Sequence, residues 1–251
     1  MDVADVTLTQ GGDGCGANDD MPAQTKPIYE GQLLTFGEFD CEALRLLLQE
    51  IGTSRPTIVE IGSWLGAGST RVMIDFVRDR GGRLHCVDTW EGSPCVDNHA
   101  KIVSSYDVYE TFRHNVRAAG GESVVTSHRL TSIQAAANWP EATVDMVFLD
   151  ADHRFVSVRE DIVAWLPKLR PGGIMAGHDC ECRVTIANRS RLDQAKDHDH
   201  IEGEVPFLDW HAGVIVAVDA AFSGRARLWA ERLVTLPDGR QGPATIWDVT
   251  V

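Results

Sequence analysis

Five short apolar runs, each bounded by turn-forming residues, are the feature that most limits what this chain can fold into. Helical patterns lie between them, as in Val72, Phe76 and Val77. Such runs are typical of strands buried on both faces, and strands that alternate with helices form right-handed crossovers in a parallel sheet. The sequence therefore predicts an α/β fold with a sheet covered on both sides. The predicted strands are Thr57–Ile61, Arg83–Val87, Ser123–Ser127, Val144–Leu149 and Gly173–Ala176.

The last forty residues have a different pattern. Val214–Val218 is apolar and rich in β-branched residues, Leu228–Val234 is a further strand candidate, and Thr245–Val251 alternates between apolar and polar residues. Pro237-Asp238-Gly239 is a turn signal between the last two. We therefore expect strands over these runs and an antiparallel hairpin that closes one edge of the sheet.

Two segments fall outside this pattern. Residues 1–27 combine six Gly and Pro residues with polar ones and few large apolar side chains, which predicts a mobile arm before a domain spanning 28–251. Residues 180–212 are rich in Arg, Asp and His with little apolar periodicity, so we expect an irregular, lid-like insertion there. Cys180 and Cys182 within it lack two further zinc ligands at suitable spacing and are interpreted as free thiols.

Charge and composition exclude several classes of protein. The 251 residues carry 23 basic and 37 acidic side chains, a net charge of −14, which argues against a general nucleic-acid binder. The six cysteines lack the regular spacing of a disulfide framework, which indicates a reducing compartment. No signal peptide and no apolar run of about eighteen residues is present, so the expected protein is soluble, cytoplasmic and free of membrane spans.

The first predicted strand runs into a glycine-rich turn, from Glu60 and Gly62 onward, that opens a helix. Glycines there let the backbone turn tightly and approach a ligand, and the absence of a Gly-Lys-Ser/Thr sequence excludes a P-loop. Asp88 ends the second strand, where a carboxylate can accept both hydroxyls of a ribose. Glu60 would repel a pyrophosphate, so the turn favours a ligand with an ammonium group over a dinucleotide.

Four runs follow one another along the chain: Ile58–Gly66, Cys86–Trp90, Val147–His153 and Leu169–Gly173. In this order and spacing they resemble the class I S-adenosylmethionine-dependent methyltransferases. The resemblance covers roughly residues 40–251 and implies a doubly wound, mostly parallel, Rossmann-like sheet of seven strands with a C-terminal antiparallel hairpin. It implies cofactor contacts from Glu60, Gly62, Ser63, Ser69, Asp88, Thr89, Trp90, Ser132 and Asp150.

Within this superfamily, the chain is similar to the metal-dependent O-methyltransferases of the macrolide-sugar and catechol types. That similarity implies a divalent cation at Asp150 and Asp179, with His178 in place of the usual acidic residue. Because imidazole is a softer donor than magnesium prefers, manganese and iron stay open beside magnesium. His153 occupies the place of a catalytic histidine, which could accept a hydroxyl proton as the oxygen attacks the methyl group.

Several of these residues have a second interpretation. Trp90 could pack in the core, Asp152 could only orient the following turn, and Ser132 could be the N-cap of a short helix through Ala137. The pair His198 and His200 is interpreted as part of a solvated lid.

The sequence thus predicts methyl transfer from S-adenosylmethionine to a hydroxyl of a small molecule, a sugar or phenol in secondary metabolism such as antibiotic biosynthesis. A cephalosporin-hydroxylase-like oxygenation, a nicotinamide-dependent oxidoreductase and a non-catalytic binding subunit stay open as rivals. Nitrogen and carboxylate acceptors and a homo-oligomer are open as well.

Overall fold

A seven-stranded sheet organises the chain. The computed structural model describes residues 26–30, 36–93, 96 and 98–251, so the arm predicted over 1–27 lies almost wholly outside the described residues. The strands are β1 (Thr57–Ile61), β2 (Arg83–Asp88), β3 (Val125–Arg129), β4 (Val144–Leu149), β5 (Leu169–Gly177), β6 (Ile201–Glu204), β7 (Phe207–Trp210), β8 (Arg227–Leu228), β9 (Val234–Thr235), β10 (Gln241–Gly242) and β11 (Trp247–Thr250). The helices are α1 (Glu38–Leu48), α2 (Ser69–Arg80), α3 (His99–Ser105), α4 (Val108–Ala118), α5 (Ser132–Ala137), α6 (Phe155–Trp165), α7 (Arg189–Ala195) and α8 (Ala212–Phe222).

The strand order of the main sheet is β3-β2-β1-β4-β5-β11-β8. The first five strands are parallel, and β11 pairs antiparallel with both β5 and β8. This confirms the predicted doubly wound, Rossmann-like architecture with an antiparallel edge. The order reverses between β1 and β4, and ligands of open α/β sheets bind at the carboxyl ends of the strands on either side of such a reversal.

Apolar residues cover the sheet on both faces, as predicted from the uninterrupted apolar runs. Ile58 belongs to one buried cluster, together with side chains of α1, α2 and α4, and its neighbour Val59 belongs to the other, with side chains of α6 and α8. Because successive side chains of a strand point to opposite faces, a strand buried on both faces must be apolar at almost every position.

Two predictions for the second half of the chain are wrong. Val214–Val218 lies within α8, which is buried along most of its length, and a short apolar run cannot by itself distinguish a buried helix from a buried strand. Residues 180–212 are not structureless, since they contain α7 and the antiparallel pair β6 and β7.

The predicted strand Leu228–Val234 is divided between β8, a short 3-10 helix and β9. The turn at 237–239 is present, and it joins β9 to β10 in a separate two-stranded sheet.

None of the helices in the described part of the chain combines the length and the apolar character needed to cross a membrane.

Candidate active site

The turn after β1 lies directly against the end of β4. Gly62 has a φ of +87°, and a Cβ atom there would lie 2.1 Å from the carbonyl oxygen of Asp150. The amide of Asp150 in turn donates to the carbonyl of Ile61 at 2.8 Å. Only glycine fits both the conformation and this approach, which explains the glycine at the end of β1.

Glu60 lies behind this turn. It is fully buried, and its carboxyl oxygens accept hydrogen bonds from the hydroxyls of Ser69 at 2.6 Å and Thr70 at 2.7 Å. Burial raises the pKa of Glu60 to about 7, although the bonds from the two hydroxyls lower it. Glu60 lines neither of the two large cavities described below, in contrast to the predicted cofactor contact, because its oxygens are occupied in holding the start of α2.

The larger cavity, of about 420 Å³, lies beside the carboxyl ends of β1, β2 and β4. Asp88 is part of its wall, and the Asp88 carboxylate accepts the backbone amides of Trp64 at 2.8 Å and Trp90 at 2.7 Å. Burial raises the pKa of Asp88 more than these amides lower it. Gly62, Thr89, Ser132 and Asp150 line the same cavity, so five predicted cofactor residues come together there.

In the structure, Trp90 and Asp152 have the second of the two roles that the sequence allowed for each of them. The Trp90 side chain is 2% exposed, packs against Tyr109 and Phe112, and donates its indole N–H to the carbonyl of Trp64 at 2.8 Å. It belongs to the core and lines neither large cavity, and Trp64 lines both instead. Asp152 accepts the backbone amide of Arg154 and pairs with its guanidinium, so it orients the turn before α6.

Ser132 is the first residue of α5, and the N-cap is its neighbour Thr131, whose hydroxyl accepts the amide of Gln134. The Ser132 hydroxyl accepts the indole N–H of Trp165 at 2.9 Å. Near it, burial raises the pKa of Asp161 to about 7. Ser132 therefore lies in the cavity wall but does not cap the helix.

A smaller cavity, of about 270 Å³, adjoins the larger one. Ser63 and Ser69 line it, and Trp64, His99 and Asp150 are shared between the two cavities. The rings of Trp64 and His99 are stacked with centroids 4.1 Å apart. The smaller cavity ends at a cluster of histidines and carboxylates at the carboxyl ends of β4 and β5.

The predicted metal ligands come together in this cluster. His178 Nδ1 lies 3.4 Å from Asp150 Oδ1 and 3.1 Å from Asp179 Oδ1. Adjacent corners of an octahedron with bonds of about 2.1 Å are about 3 Å apart, so these donors suit neighbouring positions around one cation. Burial raises the pKa of Asp179, but His178 and His211 outweigh it and hold that pKa well below its usual range. Asp179 itself has a left-handed backbone, with φ of +64°.

His153 lies next to this group and between two carboxylates. Its Nδ1 is 2.8 Å from Asp199 Oδ1, and its Nε2 is 3.1 Å from Asp179 Oδ2. Burial lowers the pKa of His153, but Asp179 and Asp199 raise it well above its ordinary value. Both ring nitrogens of His153 thus contact carboxylates, which fix the orientation of the ring and favour its charged form.

Sequence reasoning missed part of the cluster. Asp199 belongs to the segment interpreted as a solvated lid, and His211 precedes the run mistaken for a strand. Glu181 lies within Cys180-Glu181-Cys182, which was considered only for its thiols, and its carboxylate accepts from His211 at 2.7 Å. The signal available was the density of His and acidic residues between 178 and 211.

Part of the chain matches a known protein family. Residues 59–180 match the family described as "Methyltransferase domain". A curated relative, the uncharacterized protein y4gI of Sinorhizobium fredii, is 29% identical over 97 residues, which are 39% of this chain and 10% of that protein. The chain thus spans about a tenth of the length of this relative.

Solved structures share the fold at low sequence identity. The O-methyltransferase TomG of Streptomyces achromogenes, involved in tomaymycin synthesis and solved with S-adenosylmethionine, is 18% identical with a TM-score of 0.54. A protein of Corynebacterium glutamicum is 16% identical with a TM-score of 0.53. Each alignment covers 87% of this chain and 82% of the other. At such identities the likeness shows the fold.

Proposed function

We propose that this chain, of which residues 59–180 match a methyltransferase domain, is a class I S-adenosylmethionine-dependent enzyme that methylates a hydroxyl oxygen of a small molecule. The observation that carries the proposal is the junction of the two cavities. The larger one has the carboxylate of Asp88 in its wall, the smaller one ends at the histidine and carboxylate cluster, and Asp150 belongs to both.

The larger cavity is the proposed site of S-adenosylmethionine, which supplies a methyl group carried on a positively charged sulfur. Asp88 would accept the ribose hydroxyls, and Leu130–Ser132 would lie beside the adenine. Gly62, which lines both cavities, would lie beside the amino-acid end of the molecule. Glu60 would act indirectly, by holding this turn through Ser69 and Thr70.

Asp150, His178 and Asp179 are the proposed ligands of a divalent cation. Two carboxylates suit magnesium, and the imidazole nitrogen of His178 moves the preference towards manganese or iron. A cation there would stabilise the negative charge that develops on the acceptor oxygen.

His153 is the proposed general base. Asp199 holds Nδ1 at 2.8 Å, and Nε2 lies 3.1 Å from Asp179 Oδ2. With Asp179 bound to the cation, Nε2 would be released from this carboxylate and would accept the hydroxyl proton while the new O–C bond forms and the S–C bond breaks. His153 lines the smaller cavity, so an acceptor bound there reaches it. A cavity of about 270 Å³ suits a single phenol or sugar ring.

The test has two stages. Calorimetry first measures binding of S-adenosylmethionine and, in a parallel titration, NADH; binding of NADH alone would refute the proposal. Release of S-adenosylhomocysteine is then followed with phenols, catechols, sugars and amines as acceptors, with magnesium or manganese present. We expect His153→Gln to bind the cofactor as wild type does and to lose at least a hundredfold in transfer rate, since general-base catalysis contributes about 10²–10⁴-fold.

His200→Gln is the matched control. His200 is exposed and contacts the same Asp199 at 3.2 Å, but its ring does not line the smaller cavity. Equal rates in wild type and His153→Gln would refute the base assignment. Methylation confined to amine acceptors would refute the hydroxyl assignment.

A further inference from the structure

A second group of potential ligands adjoins the one assigned above. One nitrogen each of His153 and His211 and one oxygen of Asp179 lie within 4.8 Å of one another. The two imidazole rings meet edge to face with centroids 4.5 Å apart. Asp179 is the single residue that this group shares with the group of Asp150 and His178.

Each imidazole of the second group contacts a carboxylate oxygen through its Nδ1 atom. Asp199 Oδ1 lies 2.8 Å from His153 Nδ1, and Glu181 Oε1 lies 2.7 Å from His211 Nδ1. Glu181 also accepts the backbone amide of His211 at 3.1 Å, which fixes that residue at the start of α8. Metal-ligating histidines have such a carboxylate partner, which orients the ring and increases the basicity of the ligating nitrogen.

The carboxylate of Asp179 faces both groups. Its Oδ1 is 3.1 Å from His178 Nδ1, and its Oδ2 is 3.1 Å from His153 Nε2. His211 Nδ1 lies 3.5 Å from Oδ1. A carboxylate placed in this way can bridge two cations, which in two-metal sites lie about 3.5–4 Å apart.

The charges of the cluster also favour a second cation. In the described part of the chain, the ion pairs of Asp150, Asp179, Glu181 and Asp199 are all with histidines. Asp40 Oδ2 lies 3.6 Å from His178 Nε2, so that five carboxylates face four imidazoles, including the exposed His200. Bound cations would offset the excess negative charge in this largely buried place.

We propose that His153, Asp179 and His211 form a second cation position, which takes a divalent transition-metal ion such as Zn²⁺. Two imidazoles and one carboxylate suit such ions and suit magnesium poorly. Three protein ligands leave a coordination position directed at the smaller cavity, which all three residues line. The effect of such an ion on activity rests on the proposed function: an ion here would occupy His153, the proposed base, and thereby oppose methyl transfer.

The experiment uses Co²⁺ as a spectroscopic probe on the full chain after treatment with a chelator. Its visible absorption and the titration stoichiometry are measured for wild type, His211→Gln and Asp150→Asn, and calorimetry repeats the titration with Zn²⁺. We expect two ions per chain in wild type and one in each variant. His200→Gln, which alters an exposed neighbour, should keep two.

Two further measurements keep the test decisive. Circular dichroism identifies variants that misfold, and His211→Asn replaces His211→Gln if needed. In Co²⁺-loaded wild type, shifted imidazole N–H proton signals count the ligating histidines: three are expected, and one alone would overturn the proposal.

One ion in wild type, or two ions retained in His211→Gln, would also overturn the second position. The proposed function fails differently, through absence of cofactor binding or of transfer with Mg²⁺ or Mn²⁺. The stoichiometry is read without any acceptor, so the two failures are distinguishable.

Discussion

Replacement of Glu60 by Gln should stabilise the protein at alkaline pH. The folded state raises the pKa of this carboxyl from 4.5 to about 7, because the side chain is fully buried. A carboxyl whose pKa is raised by folding contributes its stability below the unfolded pKa and loses it as the pH rises through the folded value. The loss is complete above pH 7.

The magnitude follows from the shift. The rise in the pKa from 4.5 to about 7 corresponds to about 3 kcal/mol at about 1.36 kcal/mol per pKa unit, and about 2–3 kcal/mol of this is lost between pH 5 and pH 8. Glutamine cannot ionise, so the free energy of unfolding of Glu60→Gln relative to wild type should rise by about 2–3 kcal/mol over that interval.

The assay is urea unfolding at pH 5 and pH 8, on protein free of cofactor and metal, with Glu141→Gln as the control. Glu141 is exposed, and such surface substitutions change stability by about 0.5 kcal/mol or less. A difference between Glu60→Gln and wild type that is the same at both pH values would refute the reasoning. It would mean that the Glu60 carboxyl ionises with its ordinary pKa in the folded protein.

Three further substitutions test the geometry. Gly62→Ala should cost about 2–4 kcal/mol in urea unfolding because of its backbone conformation and the nearby Asp150 carbonyl, whereas Gly172→Ala, with φ of +79° and nothing within 4 Å, should cost about 1 kcal/mol; equal costs would contradict the close approach. Asp88→Asn should weaken S-adenosylmethionine binding about tenfold to a hundredfold by calorimetry, and an unchanged Kd would remove Asp88 from the cofactor site. Trp90→Ala should cost about 3–5 kcal/mol of stability as a core truncation, and a loss of cofactor affinity without a loss of stability would instead place it in the site.

The fold could be predicted from the sequence where an apolar run was sufficient to locate a strand. The bounds of β1 and β4 agree with their apolar runs, because central parallel strands need apolar residues on both faces. The prediction failed at α8, where Val214–Val218 has the composition of a strand but is buried all round as a helix. Composition could not separate the two, because burial on all sides removes the helical period.

The sequence predicted those residues of the candidate site that directly follow strands. Asp150, His153 and Asp179 follow β4 and β5 directly, so their position at the sheet edge follows from the topology. Asp199 and His211 come from the segment after β5, which has no period that would locate it. Trp64 and Trp90 both follow strands, and the sequence could not show which of them lines a cavity and which packs in the core.

The approach of Gly62 to Asp150 provides a contact through which the two cavities can be coupled thermodynamically. Because Gly62 has no side chain, the β1 turn contacts the Asp150 backbone directly. Asp150 lines both cavities. A ligand in one cavity that shifts this contact therefore changes the affinity of the other cavity. By linkage the factor is the same in both directions: whatever an ion at Asp150 does to the affinity for the methyl donor, the donor does to the affinity for the ion.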